Sequence, residues 1–189
     1  MPITEIHPLT TGRWDDFENL FGPRGACGGC WCMYWKLTRK DFEAGTGNTN
    51  RLAQKAVVDG GYVPGLIAYV DGTPAGWVAI EPRQNYPTLG RSRILKPLDE
   101  EPVWSITCFF VDRQHRGTGL TIQLLKAAVE HVKSKNGKIV EGYPVEPKDN
   151  SKMPPVFVYT GLVSAFTQAG FVEAERRSAT RPIMRYYIK

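Results

Sequence analysis

Runs of apolar residues along the chain predict most of a β-sheet. Gly65–Val70 and Ala75–Glu81 are apolar runs joined by Asp71-Gly72-Thr73-Pro74, and Asp-Gly between two such runs is a strong signal for a β-hairpin. Val103–Val111 has almost no polar interruption, which is typical of a strand that is buried on both faces. Weaker patterns predict the other strands, at Ile3–Leu9, Lys138–Val145, Phe171–Arg176 and Pro182–Ile188.

Apolar residues at helical spacing predict four helices, at Arg13–Phe21, Asn50–Asp59, Gly117–Lys135 and Gly161–Ala169. The predicted order is therefore β-α-α-β-β-β-α-β-α-β-β, which indicates an α/β fold with a mixed sheet and helices on both faces. No internal repeat or linker interrupts this order, so we predict a single domain over residues 1–189.

The longest stretch without a predicted element is Pro82–Pro102. It is mostly polar and contains several prolines, a composition typical of a surface loop. Long loops in compact domains are often functional, so this segment is a candidate to border a site.

Composition and charge exclude some classes of protein. No run approaches the roughly 18 apolar residues of a membrane span, and the N-terminus lacks the basic-then-apolar pattern of a secretory signal. We therefore expect a cytoplasmic location and no membrane partner. The net charge is +5, but the basic residues are scattered without a block of five or six, so we expect no nucleic-acid partner.

The junction between Val111 and Leu120 has the features of an anion site. A buried strand ends, the chain turns through Gly117 and Gly119, and the longest helix begins. The first turn of a helix offers unpaired N–H groups and the positive end of the helix dipole, and glycines let a phosphate approach the backbone. Arg113 and Arg116 add positive charge beside this turn.

The sequence pattern of this turn restricts which class of phosphate-bearing ligand it is expected to bind. It lacks the GxxxxGK[ST] of a P-loop and the third glycine of GxGxxG. Gln114, Gly117 and Gly119 instead match Q/R-x-x-G-x-G/A, and on this motif the chain resembles the GNAT superfamily of acyl-CoA-dependent N-acyltransferases. Ala169-Gly170-Phe171 resembles the xGF of that superfamily, and CGGCWCMYW, at 27–35, resembles a stretch found in one uncharacterised subgroup of GNAT-like proteins.

The resemblance implies a GNAT-type fold, acetyl-CoA as cosubstrate, no metal, a homodimer, and roles for particular residues. Gln114 and the backbone amides of the turn would hold the CoA diphosphate. The strand Ile106–Val111 would splay from Lys138–Val145, with pantetheine in the gap. Backbone N–H groups there would bond the pantetheine and polarise the thioester carbonyl. The implied cofactor-binding residues are Phe109, Phe110, Val111, Gln114, Arg116, Gly117, Thr118, Gly119, Leu120 and Tyr159.

Proton transfer has three candidate residues. Glu81 ends a strand near the side where substrates enter in this fold, and Glu141 lies within an apolar strand, where desolvation would raise its pKa towards that of a useful base. Either carboxylate could equally face water. In the family a tyrosine precedes the xGF glycine by four residues, but Phe166 stands there. Tyr159 either contacts pantetheine, supplies the missing hydroxyl, or is a packed tyrosine.

Cys27, Cys30 and Cys32 form a cluster with two interpretations. C-x-x-C-x-C suits zinc, but a second close pair of ligands is missing. The alternative is a wall of the acceptor pocket, with Cys30, Trp31 and Tyr34 as substrate-binding residues. We favour the pocket wall, and a plain core role for the aromatic side chains is an open alternative.

Three functions remain open at this point. The first is transfer of an acetyl group from acetyl-CoA to the primary amine of a small molecule, with Glu81, Glu141 and Tyr159 as candidate catalytic residues. The second is a non-catalytic CoA-binding or sensor module of the same fold. The third is a zinc-dependent nucleic-acid-binding protein.

Overall fold

One mixed sheet of seven strands organises the part of the chain that the structure describes. The structure is a computed structural model and describes residues 4–148 and 153–189. The strands are β1 (Thr4–Pro8), β2 (Gly65–Val70), β3 (Thr73–Pro82), β4 (Trp104–Val111), β5 (Ile139–Gly142), β6 (Val172–Arg176) and β7 (Pro182–Tyr187). Their order in the sheet is β1-β2-β3-β4-β5-β7-β6, and only β4 and β5 pair in parallel.

Helices cover both faces of this sheet, as the sequence predicts. They are α1 (Trp14–Phe21), α2 (Arg39–Ala44), α3 (Asn48–Asp59), α4 (Leu120–Ser134) and α5 (Val163–Gln168). The hairpin β2–β3 shows why two layers form, because successive side chains of a strand point to opposite faces. Val78 and Ile80 pack under α4, whereas Trp77 and Ala79 pack with α1.

The structure adds one helix that the sequence analysis missed. Thr38 caps α2, since its hydroxyl oxygen accepts a hydrogen bond from the Asp41 backbone N–H at 3.2 Å. The helix is only six residues long and has no fully buried side chain. A helix without an apolar stripe gives no periodic signal, and this explains the omission.

The predicted surface loop Pro82–Pro102 is wrong as a description of that segment. Although the segment is mostly polar, the side chains of Tyr86, Leu89 and Leu95 are buried. They form a core cluster with Tyr143. Two short 3-10 turns bring these side chains inward. The segment is therefore a packed cover over one end of the sheet.

The ends of several elements also differ from prediction. The helix predicted at Gly117–Lys135 begins three residues later, at Leu120. The strand predicted at Lys138–Val145 stops at Gly142. No helix within the described residues is long and apolar enough to cross a bilayer.

Candidate functional site

The strands β4 and β5 separate after a short parallel ladder, as predicted. They pair only from Trp104 to Ile106, opposite Val140 to Gly142. At the same level the pairing of β3 with β4 shifts register between Ala79 and Ile80. A bulge of this kind bends a strand and increases its twist. It directs the remainder of β4 away from β5 and opens a gap in the middle of the sheet.

The glycine turn beyond β4 is open, as the anion-site prediction requires. Gly117 and Gly119 have φ of 76° and 84°, which a residue with a side chain adopts only under strain. A Cβ at either position would meet nothing within 4 Å. The N–H groups of residues 117–121 donate to no acceptor within the described residues. Unused donors in an open, left-handed turn at a helix start fit the diphosphate of coenzyme A.

Side chains around the turn have defined but unequal roles. Arg116 is exposed, and its Nε donates to the Val111 carbonyl at 3.0 Å, which keeps the guanidinium beside the end of β4. The Thr118 hydroxyl donates to the His115 carbonyl at 2.7 Å and closes the turn. The Gln114 side chain is exposed and its backbone N–H donates to Asp112. Among the described residues, neither Gln114 nor Thr118 lines the cavity at this turn.

A cavity of about 1010 Å³ runs from this turn through the gap in the sheet. Consecutive residues of β4 line it from both faces, because Phe109 belongs to the core layer under α4 and Phe110 packs with the layer of α1. On the α4 side the wall includes Gly117, Gly119, Leu120, Thr121 and Ile122. On the α1 side it includes Cys27, Cys30, Cys32, Tyr34, Trp35 and Phe42.

The backbone amides of β4 are not equivalent. The Phe109 N–H donates to the Tyr159 carbonyl at 2.6 Å, so in this structure the protein itself occupies it. The Asp112 N–H donates to Ala75 of β3, and alternation along the strand sends the Phe110 N–H in the same direction. In this structure the Phe109 N–H is engaged within the protein and that of Phe110 faces β3, so their role as pantetheine donors stays a prediction. The Val111 N–H points into the gap, on the same side of the strand as that of Phe109.

Tyr159 lies in the cavity wall, where its ring meets Tyr34 edge to face at 6.5 Å between centroids. Burial raises the pKa of the Tyr159 phenol, and the nearby Arg181 charge opposes this shift. The phenol is consequently protonated at neutral pH and can donate a hydrogen bond. Phe166, at the position of the family tyrosine, is fully buried against Phe109 and leaves no room for a Cβ at Gly142.

The two predicted carboxylates are not at the cavity. Among the described residues that line it, neither Glu81 nor Glu141 is present. Glu81 is 3% exposed, forms an ion pair with Lys36, and accepts a hydrogen bond from the Asn85 amide at 2.8 Å. Glu141 is 1% exposed and bonds Arg83 at 3.0 Å and Arg185 at 2.7 Å. Because each is already paired and neither lines the cavity, the geometry gives neither the role of base.

The predicted acceptor residues divide into two groups. Cys30 and Tyr34 line the cavity, as predicted for a pocket wall. Trp31 does not, and its assignment to the acceptor site is wrong, because its ring is buried and stacks on Phe21 at 5.6 Å. A left-handed backbone at Trp31, with φ of 45°, turns the ring into the core. Sequence patterns carry no signal for such a turn at a non-glycine residue.

Other lining residues escaped the sequence analysis. The sequence analysis did not single out Cys108 and expected only the amide of Phe110 to take part, yet both side chains border the cavity. Val156 and Leu162, after β5, line the opposite side. These residues look like ordinary core residues in sequence, since the gap that exposes them arises from the register shift in β3.

The three cysteines of the cluster point in different directions. Cys27 is exposed, the Cys30 thiol donates to the Gly25 carbonyl at 3.4 Å, and the Cys32 sulfur accepts from the Trp77 indole N–H at 3.0 Å. Within the described residues, no group of three or more cysteine, histidine or acidic side chains is arranged to hold a metal. The geometry favours the pocket-wall interpretation of the cluster.

Comparison with solved structures gives the same fold. An acetyltransferase of the GNAT family from Listeria monocytogenes 4b F2365 superposes with a TM-score of 0.58 at 11% identity over 100% of both chains. The yncA acetyltransferase from Salmonella typhimurium, solved with acetyl-CoA, has a TM-score of 0.55 at 10% identity over 98% of this chain and 94% of its own. The paia N-acetyltransferase from Thermoplasma acidophilum, solved with coenzyme A, has 0.53 at 15% over 98% and 99%.

Sequence comparison gives the family. No curated protein sequence matches the chain. The family model described as "Acetyltransferase (GNAT) family" matches residues 30–151, which contain the gap, the glycine turn and α4. The match covers more than half of the chain, and the observed sheet, turn and cavity agree with it. The protein therefore belongs to the GNAT acetyltransferase family.

Proposed function

We propose that the protein transfers an acetyl group from acetyl-CoA to the primary amine of a small molecule. The observation that carries this proposal is the continuity of the cavity. It begins at free backbone donors on α4 and passes between β4 and β5 to a wall on the other face of the sheet. An anionic cosubstrate and an acceptor can thus meet from opposite faces at the same strand.

Each part of the cavity has a role in the proposed reaction. The N–H groups of residues 117–121 bind the diphosphate, and the Arg116 charge supports them. The Val111 N–H supplies a fixed donor within the gap, where developing negative charge is stabilised. The Tyr159 hydroxyl donates to the departing sulfur. Acetyl-CoA supplies an activated acyl carbon: a C–N bond forms, the C–S bond breaks, and one amine proton ends on the thiol.

A matched pair of glycine variants tests the diphosphate site. Gly117 and Gly72 have nearly the same φ, 76° and 77°, and a Cβ at either would meet nothing within 4 Å. Gly117→Ala and Gly72→Ala should therefore lose similar stability, about 1 kcal/mol. Only Gly117→Ala should weaken coenzyme A binding, by about tenfold or more, because its methyl group occupies the space of the phosphates. Calorimetry on both variants measures this, and equal affinities would reject the site.

A non-catalytic CoA-binding module is the second candidate. The specific observation in its favour is the Phe109 N–H, which is held by the Tyr159 carbonyl rather than free for a ligand. Release of free thiol from acetyl-CoA in the presence of a panel of amines separates the two candidates. Amine-dependent release supports the enzyme, whereas coenzyme A binding without release supports the module.

A further inference from the structure

Among the described residues, the cavity wall on the α1 side contains no carboxylate. Its side chains are aromatic rings, thiols and small apolar groups. Among the described residues that line the whole cavity, there is no aspartate, glutamate or lysine, and the basic groups His115 and Arg116 lie at the glycine turn. An ammonium ion that entered this compartment would lose its hydration and find no carboxylate to replace it, which is unfavourable.

Two thiols of the cavity wall, those of Cys30 and Cys108, have raised pKa values and are neutral at pH 7. Burial raises the pKa of Cys30 to about 11. A hydrogen bond with Cys32, together with burial, raises the pKa of Cys108. Because the thiolate is the reactive form of cysteine, these side chains are poor nucleophiles at neutral pH. They provide soft apolar contacts, and they supply neither a countercharge for an amine nor a covalent relay for the acetyl group.

A positive charge lies behind the wall beside Tyr159. The Arg181 guanidinium acts on Tyr159 and donates to the Thr160 hydroxyl at 3.3 Å. It has no carboxylate partner within 4 Å among the described residues. The field of Arg181 therefore opposes a cation beside Tyr159, in the same direction as that of Arg116 at the turn.

We infer that the acceptor is an uncharged, apolar amine of the arylamine class rather than an alkylammonium. This inference rests on the proposed function and specifies its substrate. The nitrogen of an arylamine is neutral near pH 7, so it attacks without prior deprotonation, and this agrees with the absence of a carboxylate base from the described wall. In the balanced reaction the C–N bond forms, the C–S bond breaks, and the arylamine loses one proton, which the CoA sulfur receives.

Two amines of nearly equal shape test the inference. 2-Aminonaphthalene is neutral at pH 7.0, whereas 2-(aminomethyl)naphthalene is an ammonium ion that differs by one methylene. With acetyl-CoA we expect kcat/KM to be at least about tenfold higher for the arylamine. The extra methylene of the alkylamine adds apolar contact, which by itself would favour the alkylamine by a similar factor. A tenfold preference for the arylamine therefore reflects charge rather than size. Between pH 6 and 9 kcat/KM should stay nearly flat for the arylamine and rise for the alkylamine as it deprotonates.

A designed carboxylate provides the second test. Cys27 is exposed and lines the cavity, so Cys27→Asp introduces a charge without burying it, and Cys27→Asn is the neutral control of the same shape. Relative to Cys27→Asn, Cys27→Asp should raise kcat/KM for the alkylammonium about threefold to fivefold at low salt.

The outcomes separate this inference from the proposed function. Coenzyme A binding with a preference for the alkylammonium, or with no turnover of either amine, overturns the inference alone. Faster transfer from hexanoyl-CoA than from acetyl-CoA, without discrimination between the amines, would assign the apolar wall to the acyl chain instead. No measurable coenzyme A binding would overturn both proposals.

Discussion

Two neighbouring regions of the sheet differ in whether they contain charged side chains. Within β5, Glu141 accepts hydrogen bonds from Arg83 and Arg185, one guanidinium on each carboxylate oxygen, and from the Tyr143 hydroxyl at 2.8 Å. Across β4, the cavity wall excludes carboxylates within the described residues. We call the first region the Glu141 network. The comparison teaches that a carboxylate in an apolar strand of this fold stabilises the structure, while the site relies on backbone donors and neutral side chains.

The Glu141 network also holds the segment between Pro82 and Pro102 against the sheet. Arg185 forms two bonds with Asp99, at 2.6 and 3.0 Å, and Arg83 donates to the Leu95 carbonyl. The segment between Pro82 and Pro102 is thereby tied to β5 and β7 by charged groups as well as by its buried apolar side chains. Its position over this end of the sheet depends on this network.

The largest expected effect is loss of stability on removing the centre of the network. Glu141→Ala leaves Arg83 without a carboxylate among the described residues and leaves the buried Arg185 with only the exposed Asp99, which should cost about 3–5 kcal/mol in the free energy of unfolding. Urea denaturation measures this cost. The control is Glu173→Ala, which removes an exposed ion pair with Arg176 and should cost under about 1 kcal/mol. Equal costs for the two variants would contradict the structural role of Glu141.

The next effect concerns the hydroxyl in the cavity. Tyr159→Phe keeps the ring but removes the donor, so kcat should fall about 10- to 100-fold with little change in the KM for acetyl-CoA. Steady-state kinetics test this, with Tyr34→Phe as the control because Tyr34 lines the same cavity and is half exposed. A larger fall in Tyr34→Phe would mean that the wrong tyrosine has been assigned.

A third prediction sharpens the contrast through the thiols of the wall. The pKa of Cys30 is raised to about 11 by burial, so its thiolate fraction grows about tenfold for each pH unit between 8 and 10. Alkylation of Cys30 by iodoacetamide should therefore accelerate by the same factor, as followed by peptide mass spectrometry. A rate that levels off by pH 9 would show that the wall is more polar than the structure indicates.

The smallest effect is at the exposed edge of the Glu141 network. The hydrogen bond from Arg185 lowers the pKa of Asp99 below its ordinary value of 3.8. A group with a lowered folded-state pKa stabilises the protein above its unfolded-state pKa and loses that contribution as the pH falls through the folded-state value. The stability difference between wild type and Asp99→Asn should thus be present at pH 7 and shrink below pH 3.8, as measured by urea denaturation at each pH. A difference that is independent of pH would exclude ionisation of Asp99 as its cause.

The sequence correctly predicts the parts of the fold that depend on interactions between residues close to each other in the chain. The Asp71-Gly72 hairpin, the buried strand before Val111 and the glycine turn each have a signal within a few residues, and the structure places them as predicted. The segment after Pro82 was predicted as a surface loop because its buried residues are spaced irregularly. Their burial depends on contacts with Tyr143 and Ile183, which are distant in sequence.

The site was less predictable, because it depends on pairing between distant segments. Nothing near Glu141 in the sequence indicates that Arg83 and Arg185 lie beside it, so a paired carboxylate resembled a candidate base. The cavity itself follows from a register shift between β3 and β4, which depends on the whole sheet. Only the backbone-donor end of the site, at Gly117 and Gly119, could be located from its own residues.

The bond between the Phe109 amide and the Tyr159 carbonyl has a consequence for binding measurements. Any ligand that accepts a hydrogen bond from this amide has to displace the Tyr159 carbonyl. The observed dissociation constant of such a ligand includes the free energy of that exchange. A substitution that weakens the internal bond would consequently tighten binding without adding a contact to the ligand. The unliganded protein would then be partly blocked by its own chain, and the fraction ready to bind would be set by how often the bond between the Phe109 amide and the Tyr159 carbonyl breaks.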